Sequence, residues 1–406
     1  MTVNTDRLHL CQRRHASHYM SVLKEANGLF LQGGDLSRQG LDLIDFDSRN
    51  IDAGQGWAAK EAEQDAVAAE ICINYAVVGA QVLALRQRPH DSIRWQETAL
   101  AAARQFKVRT REGVILNTLG VAYSDLGEAR RALECHEDAL AVARDIGDRR
   151  GESSALGNLG VAYSDLGETR RALEFYEQQL IVVREINDRR GEGKTLGNLG
   201  LAFAALGELR QAIEYHEQHL KLARDLGDRR GEGAALGHLG NAYAAMGEPR
   251  QAVGFFEQRL AIAREMGDRR GEGIVLGNLG LAVAALGEWE HAVAIYRQQL
   301  TLVQGLSDRR SEANALGNLG IAHRNMGQPE RALEFYEQQL AIVQEINDRR
   351  GQANALFNLG LVRFQLGERE EALARAEEAL KIFEQIESPY AEWVRTQLAE
   401  WTRYRK

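Results

Sequence analysis

The sequence predicts an all-α protein built as a solenoid of stacked antiparallel helix pairs. Three observations carry that expectation. Leu-Gly recurs at 119/120, 159/160, 199/200, 239/240, 279/280, 319/320 and 359/360, a strict forty-residue period without insertion. Only 4 of the 406 residues are proline, so long stretches are free to stay helical. The 40 glycines return at fixed places in the period, as turn and contact positions do.

One period, Gly151 to Arg190, reads GESSALGNLGVAYSDLGETRRALEFYEQQLIVVREINDRR. Its leading helix carries Leu156, Leu159, Val161, Ala162 and Tyr163, ends at Leu166 and meets a left-handed stop at Gly167. The trailing helix starts near Glu168 and buries Ala172, Leu173, Phe175, Tyr176, Leu180 and Val183. It stops at Asn187, matched by Gly147, Gly227, Gly267, Ser307 and Asn347. Asp188 then caps the next helix, as do Asp148, Asp228, Asp268, Asp308 and Asp348. A lone pair cannot bury its apolar face, so neighbours must stack. Residues 1–66 form an N-terminal helical segment with no repeat. Residues 67–110 read as a degenerate repeat, because Trp95, Glu97, Leu100, Ala103 and Arg104 precede Cys135, Glu137, Leu140, Ala143 and Arg144 by one period. Seven regular repeats occupy 111–387. Ser388-Pro389 opens a capping helix over 388–406, through Trp393, Leu398, Trp401 and Tyr404.

Composition narrows the function classes. Fifty basic and 58 acidic residues give a net charge of −8, the wrong sign for a general nucleic-acid binder. No run of eighteen apolar residues is present, so no membrane partner is expected. The N-terminus lacks a basic flank before an apolar run, and Cys11, Cys72 and Cys135 fit neither disulfides nor a ligand set. A cytoplasmic setting follows as an expectation.

The residues Leu156, Leu159-Gly160, Tyr163, Ala172 and Tyr176, repeated as Leu196, Leu199-Gly200, Phe203, Ala212 and His216, resemble the tetratricopeptide repeat family. Its usual period is about 34 residues. The forty-residue variety here is similar to kinesin light chains and Partner-of-Inscuteable-type adaptors. The resemblance covers about Arg111 to Ile386 and implies a right-handed superhelix whose leading helices line a concave groove for peptides. Arg14, His15, His18-Tyr19 and the stretch GLDLIDFDSRNIDAGQGWAAKEAEQDA are similar to a linker in bacterial STAND-type signalling NTPases. There it joins a nucleotide module to repeats.

Several motifs point to chemistry and fail on spacing. Gly191-Glu192-Gly193-Lys194-Thr195 looks like the end of a P-loop, but the first glycine would fall at Asp188 and no strand precedes it. His216-Glu217-Gln218-His219 has its histidines three apart where a zinc-protease helix needs four. His216 also sits in the aromatic register of Tyr176, Phe256, Tyr296 and Tyr336, and Cys135-His136 falls in the same register. No metal, cofactor or catalytic set is expected, and the chain reads as a non-enzyme. The paired arginines Arg149/Arg150, Arg189/Arg190, Arg229/Arg230, Arg269/Arg270, Arg309/Arg310 and Arg349/Arg350 are expected to pair with Glu152, Glu192, Glu232, Glu272 and Glu312. The alternative is an edge for acidic partners.

Transferred by register, the groove presents Thr118, Asn158, Asn198, His238, Asn278, Asn318 and Asn358, joined by Lys194, Asn241 and Arg324. An asparagine ladder can hold a peptide backbone without demanding a sequence, and can equally bond across to neighbouring helices. Gly157, Gly197, Gly237, Gly277 and Gly317 precede it, which expects a helix or a ligand to come very close. Ala204-Ala205, Ala244-Ala245 and Ala284-Ala285 make the middle smooth, with Ser124-Asp125, Ser164-Asp165 and Arg324-Asn325 toward the ends. Arginines that grip acidic peptides in the polarity adaptors are absent from their places here, and of the chaperone-binding lysine clamp only Lys194 is present. The expected function is a protein-interaction scaffold binding a peptide or protein segment. The alternatives are the sensor arm of a bacterial STAND-type NTPase, or a peptide-pheromone receptor. Self-association through solenoid ends is the remaining partner expectation, opposed by the Trp393/Trp401 helix.

Overall fold

The computed structural model describes residues 2–83 and 85–403, so the expectation for Tyr404 lies outside the described residues. All regular structure among the described residues is helical, in nineteen helices. The chain divides into two compact units, Met1–Leu206 and Gly207–Lys406.

The first unit opens with α1 (Thr2–Gln32) and α2 (Gly34–Glu61), packed side by side and joined through Gly33 and Gly34, both in the left-handed region. Against them lie α3 (Ala66–Leu83) and α4 (Pro89–Gln105). α3 is long and apolar enough to cross a membrane by its mean hydropathy of 1.6, although Glu70, Asn74 and Gln81 interrupt it, so the absence of an unbroken apolar run stands. Its apolar side chains are used in packing: Ala68, Ile71, Cys72, Tyr75 and Val82 sit in one core with Leu23, Ile51 and Trp95. Tyr75 is fully buried and donates its hydroxyl to the Ala16 carbonyl at 2.9 Å. The regular part of this unit follows as α5 (Arg109–Asp125), α6 (Ala129–Asp145), α7 (Arg149–Asp165), α8 (Thr169–Glu185) and α9 (Arg189–Ala205).

The second unit continues the alternation from α10 (Leu209–Leu226) and α11 (Arg229–Ala245) through α12 (Pro249–Glu265), α13 (Arg269–Ala285), α14 (Trp289–Gly305) and α15 (Arg309–Asn325). It closes with α16 (Pro329–Glu345), α17 (Arg349–Gln365), α18 (Arg369–Gln385) and α19 (Tyr390–Arg403). Within each unit consecutive helices pack pairwise, and leading helices also touch one another, α5 with α7 and α13 with α15.

The punctuation is that read from the sequence. Gly167 (φ 77°) ends the leading helix, and Asn187 (φ 53°) ends the trailing one. Asp188 Oδ1 then accepts from the Gly191 amide at 2.9 Å, satisfying one of the free N–H groups at the start of α9. Tyr176 lies flat against Gly160, where a Cβ would meet the ring. Ring and glycine together set the spacing of the pair, and Phe256, Tyr296 and Tyr336 do the same against Gly240, Gly280 and Gly320.

Candidate binding groove

Residues 154, 158 and 161 of the period share one side of the leading helix through i, i+4 and i+7 spacing. In the first unit that side walls a cavity of ≈ 770 Å³, in which Asn117, Thr118, Asn158, Lys194 and Asn198 are joined by Val114, Val121 and Val161. In the second it walls one of ≈ 530 Å³, with Asn278, Asn314, Asn318, Asn354 and Asn358 beside Ile274, Leu281 and Ile321. Val161, one of the apolar residues of the leading helix, is 43% exposed, as Leu281 is 53%. Two residues on from the buried Leu159 the helix has turned about 200°, which carries Val161 to the open side. The groove therefore has an aliphatic row beside its amide row.

Of the residues expected to face a ligand, Asn158, Lys194, Asn198, Asn278, Asn318 and Asn358 line these cavities. His238, Asn241 and Arg324 line neither. The His238 ring turns inward and stacks on His216, centroids 4.9 Å apart and planes at 23°. Asn241 is spent on a neighbour: its Oδ1 accepts from Asn278 Nδ2 at 3.2 Å. Arg324 is half-buried, close enough for its charge to act on the buried Tyr336 hydroxyl. The amide row also braces adjacent helices. Asn158 Nδ2 donates to Asn117 Oδ1 at 3.4 Å, and the same oxygen accepts from His136 Nδ1 at 3.2 Å.

The glycines beneath the row make room for the chain itself, not for a ligand. A Cβ on Gly157 would stand 2.5 Å from Gln179 Nε2, on Gly277 2.7 Å from Gln299 Nε2, and on Gly317 2.6 Å from Gln339 Nε2. At Gly237 it would meet the Arg259 guanidinium, Cζ at 2.7 Å. Each glycine thus faces a long polar side chain from the trailing helix. Where that helix carries Ala139 or Ala379, the leading position is Asn117 or Phe357 instead, so volume is conserved across the pair. Gln179 Nε2 donates to the Ser153 carbonyl at 3.1 Å and Gln299 Nε2 to that of Gly273 at 3.0 Å. The Oε1 atoms of Gln179, Gln299 and Gln339 are buried without a partner.

At one edge the paired arginines divide into two kinds. Glu232 Oε1 accepts from Arg224 Nε at 2.9 Å and its Oε2 from Arg229 Nη1 at 2.6 Å, a clip from the end of one helix to the start of the next. Arg144, Glu152 and Arg149 repeat it at 2.9 and 2.5 Å. Burial pushes the Glu232 carboxyl up, but the two arginines outweigh it and hold it below the usual range. Arg149, Arg189, Arg229, Arg269 and Arg309 thus reach the glutamates expected for them, whereas Arg349 donates to Gln352 and Gln385. The glutamates' other partners are Arg104, Arg144, Arg184, Arg224 and Arg264 at the ends of trailing helices; the sequence marked Arg104 and Arg144 only as register positions and gave none of the five a pairing role. The second arginines, from Arg150 to Arg350, are exposed, and Arg150 lines the first cavity.

The decoy motifs resolve into packing. Thr195 is fully buried and donates its hydroxyl to the Gly191 carbonyl at 2.9 Å within the first turns of α9. His216 and His136 are each 1% exposed, and burial depresses them to about 3 and about 4; His238 is likewise held at about 4. They are neutral imidazoles inside the helix stack. Among the described residues no group of three His, Cys, Asp or Glu side chains could hold a metal ion.

In the second unit α19 contributes to the groove as well as to the end of the stack. Trp401 is buried and stacks on Phe364, centroids 4.7 Å apart and planes at 11°. Trp393 is 50% exposed, set edge-on to Phe357 at 4.8 Å, and with Tyr390 it forms part of the cavity wall.

Solved structures with the same fold include a Signal Transduction ATPase with Numerous Domains protein with a tetratricopeptide repeat sensor from Pyrococcus horikoshii. It matches at 16% identity and TM-score 0.63, over 95% of this chain and 64% of that one. The chain thus spans under two thirds of that protein's length. The quorum sensor NprR from B. thuringiensis matches at 13% identity and TM-score 0.57, over 89% of this chain and 98% of its own. Aspartyl phosphate phosphatase F from Bacillus subtilis matches at 11% and 0.56, over 89% and 94%. No curated protein matches the sequence. The tetratricopeptide repeat family model matches in seven overlapping stretches, 80–145, 111–180, 151–225, 191–265, 232–305, 271–344 and 311–385. Forty-residue periodicity, paired helices and aromatic-on-glycine contacts agree with that match: this chain belongs to the tetratricopeptide repeat family.

Proposed function

We propose that this protein is a non-enzymatic interaction scaffold whose leading-helix grooves hold an extended peptide or protein segment of a partner. The observation that carries the reading is the pairing of two rows on one open wall. Asn278, Asn318 and Asn358 offer donors and acceptors to a peptide backbone, while Leu281 and Ile321 offer apolar surface to its side chains. Aliphatic side chains left about half exposed in register are costly to solvate unless something covers them. The B. subtilis neighbour is a phosphatase, but a likeness at 11% identity extends to the fold alone.

A second reading, the sensor arm of a STAND-type signalling protein, draws on the fold likeness over 95% of this chain. The same groove would then hold the sensed segment.

The test is a selection of displayed random peptides on the immobilised protein, followed by affinity measurement on the combined Asn278→Ala, Asn318→Ala and Asn358→Ala variant. Each lost hydrogen bond is worth about 0.5–1.5 kcal/mol, so together they should weaken binding by roughly ten-fold or more. Unchanged affinity with an unchanged circular dichroism spectrum rejects the reading.

A further inference from the structure

We propose that the groove of the second unit is selective for an uncharged extended peptide segment, with one aromatic side chain seated against Trp393. The inference rests on the groove reading above and adds what that groove would take.

Charge separates the two grooves. Of the side chains lining the second cavity none is charged, in a chain where 27% of residues are. The first unit's cavity, by contrast, includes Asp148, Arg150, Asp188 and Lys194. A carboxylate or ammonium placed among Asn314, Asn318, Asn354 and Asn358 would surrender its water with no counter-charge to receive it. Arg310 and Arg350, exposed in the first turns of α15 and α17, stand outside the lining. An acidic residue could meet them only on the flank of a bound segment.

The amides of the groove carry the same preference. Gln299 and Gln339 form its floor, 5% and 8% exposed, with each Oε1 closed off from solvent and so out of reach of a bound segment. The amides a segment can meet are those of the exposed Asn314 and Asn354 and the half-buried Asn318 and Asn358, which offer donors and acceptors to a neutral backbone.

One end of the cavity is aromatic. Trp393 remains 50% exposed and Tyr390 52%, although their neighbour Val394 is fully buried and Trp401 packs inside. The half-exposed indole is part of the cavity wall, where an incoming ring can pack on it.

Anisotropy of fluorescein-labelled decapeptides on the full chain tests this directly. One peptide is built from Ser, Asn, Ala and Val around a central Phe; the second has that Phe replaced by Ala; the third and fourth carry Glu or Lys in place of Ser. The neutral Phe peptide should bind at least about ten-fold more tightly than the other three. Its affinity should stay nearly constant between about 0.05 and 0.5 M NaCl, as expected where no charges meet. Trp393→Ala should remove the preference for Phe, and Trp393→Phe should restore most of it, which separates contact from folding. Tighter binding of the Glu peptide, or an unchanged Phe preference in Trp393→Ala, overturns the proposal. So does displacement of the Phe peptide by maltohexaose at comparable concentration, which would assign the amides to a neutral sugar. Failure of the neutral Phe peptide to bind also overturns it. The groove reading falls with it only if displayed peptides are equally indifferent to the asparagine variant.

Discussion

Replacing Gly320 with alanine should destabilise the second unit, although alanine is the better helix former. In α15 a Cβ at 320 would lie 2.5 Å from Tyr336 Cε1 and 2.8 Å from its Cδ1 and Cζ. Carbon atoms pack best at roughly 3.5–4.0 Å, so the ring would have to retreat by about 1 Å. It has nowhere to go: Tyr336 is fully buried against Ala332, Leu359 and Val362. Such overpacking costs about 1–3 kcal/mol, and the gain in helix propensity returns only about 0.5–1 kcal/mol. The expected net loss is up to about 2.5 kcal/mol, toward the upper end because the ring is enclosed. Gly254, within α12, has nothing within 4 Å of its notional Cβ, so Gly254→Ala should stabilise by about 0.5–1 kcal/mol. Urea unfolding followed by far-UV circular dichroism reads both, provided the slopes match the parent's. Tyr336→Leu in the Gly320→Ala background should relieve the clash. Midpoints that move the same way for the two glycines would refute the ring-on-glycine account.

Acidification should weaken the fold through its buried histidines. His136 and His238 are held at about 4 and His216 at about 3, below the ordinary 6.5, so the unfolded chain binds more protons in between. Their contribution is complete above about pH 6.5 and is lost as pH falls toward 4, on the order of 2 kcal/mol per histidine by pH 5. The urea midpoint at these pH values measures it, and His136→Gln should flatten the dependence. Glu232→Gln breaks the clip to Arg224 and Arg229 and should cost about 1–2 kcal/mol, the arginines being about half exposed. A loss below about 0.3 kcal/mol in thermal or urea unfolding would mark the clip as ornamental. Trp401→Ala should cost about 3–5 kcal/mol and leave Phe364 uncovered. Sedimentation should then show concentration-dependent association, and a strictly monomeric, equally stable variant would contradict the capping role of that side chain.

Much of the fold was legible because the period forces one solution. Leu159, Tyr163, Ala172 and Tyr176 recur at helical spacing, and Gly167, Asn187 and Asp188 mark where each helix must stop and restart. The second wall of the groove was harder to read. Val161 is as apolar as Leu159, and only its angle around the helix separates an exposed side chain from a buried one. Gly157 pointed correctly to a close approach, but the visitor is Gln179, recognisable only by comparing repeats in which Ala139 pairs with Asn117 and Ala379 with Phe357. His238 shares the register of Asn198 yet stacks inward, because His216 replaces the usual tyrosine and offers it a flat face. The exposure of Trp393 depends on the angle at which α19 meets α18, which composition does not encode.

The central claim is that the open face of the leading helices, not the outer face of the trailing ones, receives another polypeptide. A photoreactive benzoylphenylalanine placed in turn at Val161, Leu281 and Ile181 tests it, since all three side chains are at least 43% exposed but Ile181 belongs to the trailing helix α8. With a peptide selected on the intact protein, crosslinking should occur at 161 or 281 and not at 181. Efficient crosslinking at 181, with none at the other two, would place the partner on the opposite surface and contradict the account.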